Sequence, residues 1–257
     1  MTFGLNWLPE TAYLYLLIFA RVGTMLMLMP AFGEGMIPAR MRLSFALLFS
    51  LALFPLISGD LPRLGTGNIM AITSVLLHEM VVGFIFGGIG RLIVSGAVTA
   101  GSIIAYQVGL SVAQSADPTQ NGIQGALIGS FLSFLGITLI FATDMHHLIL
   151  AAIYDSYMVF PPSAPLMFGD AADLAVSTAA SAFSIGVQMA APFIVFGLVF
   201  YLGLGILARL MPQVQVFFVA MPANIGIGLI LMALLLTMMM GWYLIHAEAH
   251  FSSLRGV

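Results

Sequence analysis

The sequence predicts an all-α protein: a multi-helix, membrane-associated chain of kinked and broken apolar helices. Three observations carry that reading. First, the 257 residues are 61% hydrophobic and 7% charged, with a mean hydropathy of +1.11, whereas roughly a quarter of a soluble domain is charged. Second, long apolar runs alternate with short stretches rich in glycine, proline and polar residues. Third, small residues recur at multiples of four: Gly83, Gly87 and Ser95, with Arg91 at the place between the last two, then Ala97, Gly101, Ala105, Gly109 and Ala113. Such spacing lays a flat ridge along a helix and lets a second backbone come close, the packing device of helices in oily surroundings. Gly83, Gly87, Gly101 and Ala105 are the candidate helix-packing residues.

Six regions are apolar enough to span a bilayer, or nearly so, which takes about 20 helical residues. They are roughly Thr11–Met29, Leu43–Ser58, Ile69–Val112, Ile123–Phe160, Leu174–Leu210 and Ala223–Ala247. The third exceeds one span, and Arg91 with its neighbouring glycines marks a possible break. The fourth is also too long and carries Asp144. In the fifth, Pro192 removes a backbone donor and predicts a kink. Six to eight helical segments and no β-structure follow, in a single domain over residues 1–257.

The punctuation supports these boundaries. Pro30 to Arg42 is a Gly/Pro loop ending in Arg40 and Arg42, which weakly place it on the cytoplasmic side. Gly59 to Asn68 is a second loop. Gln107 to Gln124 is polar, with Asp117-Pro118 at its centre. Pro161 to Asp173 reads as solvated, with Asp170 and Asp173 suited to the positive end of the next helix. Met211-Pro212-Gln213 interrupts the last two long helices, with Arg209 and Gln213 the nearest side chains able to satisfy the backbone there. Arg21, the first basic residue, lies inside the first apolar run and Glu10 precedes it, so the N-terminus does not read as a secretory signal.

Charges within apolar runs should face protein or water. Glu79, Arg91, Asp144 and Asp155 are such residues. On one continuous helix Asp144, Ala151 and Asp155 fall within ~20° of one direction, either a proton relay or a seam against another subunit.

Several function classes fall away. A net charge of -3 argues against a nucleic-acid surface. Without cysteine there is no thiolate chemistry and no Cys-ligated zinc; without lysine there is no phosphate-binding G-x-x-x-x-G-K-[ST]. His78-Glu79-Met80-Val81-Val82 opens like a zinc-protease helix but lacks the second histidine. His146 and His147, adjacent on a helix, should point apart and make a poor metal pair. Gly109-Leu110-Ser111-Val112-Ala113 lacks the final glycine of a nucleophile elbow. The chain reads as a non-enzyme without a cofactor or metal.

Three stretches, in order along the chain, resemble the FliR family of flagellar biosynthetic proteins, called SctT in injectisomes. They are Pro30-Ala-Phe-Gly-Glu-Gly-Met-Ile-Pro-Ala-Arg-Met-Arg42; Gln107-Val-Gly-Leu-Ser-Val-Ala-Gln-Ser-Ala-Asp-Pro118; and Gly205-Ile-Leu-Ala-Arg-Leu-Met-Pro-Gln-Val-Gln-Val-Phe-Phe-Val-Ala-Met-Pro222. The third is the most specific and favours the flagellar branch. Val112 departs from the family, which often has an aromatic there.

The resemblance implies a single-copy subunit of the type III export gate in the bacterial inner membrane, within the flagellar basal body. Its implied partners are FliP and FliQ, which assemble with it into a closed helical cone, and FlhB near the entrance. Unfolded export substrates pass through the centre. The segment around Gln107, Gly109, Leu110, Ser111, Asp117 and Pro118 matches the family's plug-like loop. Arg40, Arg42, Arg209, Pro212 and Gln213 are assembly candidates, and membrane lipid is a further contact. The alternatives are an injectisome gate subunit and a secondary solute transporter, in which Gly101 to Gly109 and Pro192 would be helix breaks around a midplane site. A transporter should carry corresponding interruptions in two halves, and none is visible.

Overall fold

The computed structural model describes residues 8–30, 32–33, 37–62, 69–110, 127–162, 164, 168–211 and 216–254. Among them the chain forms seven helices and no strand. These are α1 (Leu8–Leu28), α2 (Ala39–Ile57), α3 (Ile69–Gln107), α4 (Leu127–Ala142), α5 (His146–Val159), α6 (Phe168–Leu210) and α7 (Val216–Ser253). Two differences from the sequence reading have physical causes.

The expected break near Arg91 is absent: α3 runs unbroken for 39 residues. Glycine inside a helix costs about 1 kcal/mol relative to alanine, but here it makes room for neighbours. A Cβ on Gly87 would lie 2.8 Å from the Leu28 Cβ and 3.0 Å from the Met25 carbonyl oxygen. α6 continues through Pro192 and α7 through Pro222. Conversely, the fourth apolar region divides at Asp144, where φ is +59°, and α4 and α5 meet at a bend of 81°. Asp144 precedes α5, so it does not share a helical stripe with Ala151 and Asp155, and the proposed relay has no common helix.

The chain divides into two compact units, one of residues 1–93, 140–179 and 248–257, the other of residues 94–139 and 180–247. In the first, α1 buries Leu17, Ile18, Val22 and Met25, while α3 buries Val82, Phe86 and Ile89. α2 buries Ala46, Ser50, Leu53 and Ile57 on one face, and the Tyr15 hydroxyl of α1 donates to the Leu47 carbonyl of α2 at 3.0 Å. In the second unit, the core joins Ala97, Ile104 and Val108 to Leu132, Phe193 and Tyr243.

Among the described residues five helices are long and apolar enough to cross a membrane, or six spans if the α4–α5 pair counts as one. In the most apolar windows of α6 and α7 only 17% of residues are buried within the chain. Leu198, Leu202 and Ile206 of α6 and Ile230, Leu234 and Met238 of α7 are among the uncovered side chains. Helices apolar all round require an apolar environment beyond their own fold.

Candidate functional site

The polar segment between α3 and α4 is entered from a tightly built helix end in the second unit. Gln107 closes α3, Val108 N–H donates to Ile104 O at 2.9 Å and Gly109 N–H to Tyr106 O at 3.1 Å. Gly109 then adopts φ +78°, the left-handed conformation that commonly ends helices and that glycine enters without Cβ strain. The last carbonyls of a helix lack intrahelical partners. Asn224 of α7 supplies one: its Nδ2 donates to Gln107 O at 3.3 Å and to the Tyr201 hydroxyl at 3.4 Å. Asn224 is 3% exposed. Gln107, Gly109 and Leu110 are thus placed at one helix exit; Ser111, Asp117 and Pro118 lie outside the described residues.

The small-residue positions make close approaches of two kinds. In the first unit, a Cβ on Gly83 would collide with Thr24 Oγ1 and lie 2.6 Å from the Arg21 carbonyl oxygen; in the second, one on Gly101 would strike the Gly129 backbone. Ala105 is 2% exposed. At Gly101 and Gly129 two backbones meet with no side chain between them, the geometry that small residues permit.

The approach at Gly83 positions an ion pair one helical turn away. Arg21 Nε donates to Glu79 Oε2 at 2.7 Å and Arg21 Nη2 to Glu79 Oε1 at 2.9 Å. Both side chains are fully buried. Arg21 also donates through Nη1 to Ser156 O and through Nη2 to Phe160 O, both at 2.9 Å, and its guanidinium carbon sits 4.0 Å from the Tyr157 ring centroid. One planar fork therefore neutralises a carboxylate, serves carbonyls at the C-terminal end of α5 and stacks on an aromatic face. Glu79, the apparent metalloprotease glutamate, is committed to this pair. Sequence reasoning noticed Arg21 only as the first basic residue. The usable signal was one unpaired basic and one unpaired acidic residue in separate apolar runs, each needing a partner.

Arg42 donates through Nη1 to Gly33 O at 3.1 Å, tying Gly33 to the first turn of α2. Two arginines in a helix's first turn oppose its dipole, so that tether, rather than helix stability, accounts for Arg42; Arg40 is exposed. Arg209 is exposed in the last turn of α6, where a cation complements the negative helix end. Pro212 and Gln213 lie outside the described residues.

His146 and His147 do not point apart as expected: their ring centroids are 4.1 Å apart, because His146 sits at the bend rather than within a continuous helix. With Asp144 they offer ligand atoms within 4.8 Å of one another. The group lies at the positive end of α5, which disfavours a cation, and Asp144 is exposed. Elsewhere in the first unit, a cavity of about 220 Å³ is lined mainly by apolar side chains, including Ile85, Phe86 and Leu174, with His78 and Asp170 at its wall.

Comparison with known proteins resolves the family. The sequence profile of the bacterial export proteins, family 1, matches residues 12–249. The chain is 47% identical over 225 residues to the flagellar biosynthetic protein FliR of Caulobacter vibrioides, spanning 88% of this chain and 89% of that protein. It is 32% identical over 221 residues to the FliR of Bacillus subtilis, spanning 85% and 84%. It is 27% identical over 234 residues to the FliR of Escherichia coli, spanning 90% and 86%. The resemblance carried by the three sequence stretches is therefore correct, and this multi-pass membrane protein belongs to the FliR family of bacterial export proteins.

Proposed function

We propose that the chain is a subunit of the flagellar type III protein export gate, forming with FliP and FliQ the channel through which unfolded flagellar proteins leave the cell. FlhB and other export-apparatus proteins are further partners, and the bacterial inner membrane at the flagellar basal body is the location. Within the channel, the segment 107–124 acts as a plug.

The observation that carries this reading is a polar segment entered from α3 and followed by α4, with both helices apolar. Polar side chains of that kind are costly in lipid; they belong in protein or along a watery cavity. The little-covered apolar faces of α6 and α7 suit helical partners, and the small-residue ridges supply close-packing surfaces. The injectisome alternative is not favoured, since the relatives described above are flagellar proteins.

Co-expression tests the assembly. The chain alone should aggregate, and with FliP and FliQ it should yield a homogeneous complex. A monodisperse folded monomer in detergent that does not bind FliP and FliQ would contradict the proposal.

A further inference from the structure

We infer that Asn224 is a positioning residue for the plug segment: it fixes the direction in which the chain leaves α3. This rests on the plug reading above, but its geometry stands on described residues alone.

Helix α3 could end in many ways. What selects one is a clamp from two other helices of the same unit. Asn224 of α7 holds the Gln107 carbonyl and the Tyr201 hydroxyl with a single amide. One turn further along α7, Gly228 receives the Val108 side chain; a Cβ there would sit 2.5 Å from both Val108 methyl carbons. On α6, Gly197 receives the Gln107 side chain, whose Oε1 occupies the space that a Cβ at Gly197 would need. The consecutive side chains of Gln107 and Val108, at the end of α3, are therefore seated in two glycine notches on different helices. Val108 is 1% exposed.

Gly109 completes the arrangement. It has the positive φ that turns the chain, and a Cβ on it would lie 3.2 Å from Asn224 Nδ2 and 3.7 Å from the Tyr201 hydroxyl. The positive φ disfavours a side chain at the turn, and the Asn224 amide would have to shift to admit one. The two hydrogen bonds of Asn224 are long for N–H···O contacts, so packing in the notches shares the hold with the amide. Such a clamp sets the direction of the exit.

The test uses the full complex with FliP and FliQ. Asn224→Leu keeps the approximate shape and removes the donor. Gly228→Ala leaves the donor and forces Val108 outward, and serves if the first variant fails to assemble. Two quantities are measured: hydrogen exchange of the Val108 to Leu110 amides, and potassium conductance of the complex in a bilayer. A complex lacking Ser111 to Thr119 is run in parallel.

The expected result is assembly with exchange faster by roughly five- to tenfold, the scale of one lost buried hydrogen bond, and raised conductance. Unchanged exchange in an assembled variant overturns the clamp. Faster exchange with parental conductance, while the deletion leaks, overturns the positioning role. A deletion that does not leak contradicts the plug reading instead, and the clamp is then judged by exchange alone. Failure of both variants to assemble assigns these residues to folding and overturns the inference.

Discussion

Arg21 and Glu79 form a fully buried, bidentate ion pair across 58 residues of sequence, with N···O distances of 2.7 and 2.9 Å. Removing one partner strands a charge where no water reaches, a loss of about 3–5 kcal/mol. Glu79→Ala should therefore sharply reduce the yield of folded complex, and Arg21→Met should do the same. The double variant Arg21→Met, Glu79→Met should recover part of the loss, because matched apolar groups avoid the stranded charge. Thermal melting of the purified complexes checks this; a double variant no better than the worse single one contradicts the charge-pair account.

Gly101 and Gly88 provide a matched comparison on one helix. A Cβ at Gly101 would strike the Gly129 backbone, whereas at Gly88 nothing lies within 4 Å. Gly101→Ala should lower the melting temperature, with an overpacking cost of about 1–3 kcal/mol because backbone rather than side chain must move. Gly88→Ala should be neutral or stabilising, since alanine gains up to about 1 kcal/mol in a helix. Equal effects at the two sites would remove the close approach of α3 and α4 from the account.

Asp144 holds φ +59° at the bend between α4 and α5. Only glycine, asparagine and aspartate enter that region routinely, and other residues meet a strain of about 1–2 kcal/mol. Asp144→Asn should melt like the parent and Asp144→Val several degrees lower. If both substitutions behave alike, the carboxylate rather than the backbone explains the residue.

Arg209 sits exposed in the last turn of α6, where its contribution to the helix end is only about 0.3–1 kcal/mol. Its larger role is expected in assembly. Arg209→Leu should reduce recovery of the complex with FliP and FliQ and lower motility. Normal recovery with normal motility would rule that role out.

The helical class and the main apolar segments were legible because composition and run length constrain a membrane chain strongly. The family was legible because three local stretches fell in the right order. Helix continuity was harder to read. Glycine near Arg91 looks like a break in sequence, and its role in accepting α1 emerges only with the second helix in place. Asp144 read as a helical residue because nothing local announces its positive φ. Arg21–Glu79 and Asn224–Gln107 were invisible as pairs: each residue is an isolated polar group in an apolar run, and its partner lies 58 or 117 residues away.

The most direct test of the gate account is the conductance of the complex without Ser111 to Thr119. A plug predicts that the shortened chain still assembles with FliP and FliQ, and that cells expressing the full gate admit small ions and solutes more readily than the parent. An intact complex carrying the deletion, with no rise in leak, would contradict the account and make the segment an ordinary connector.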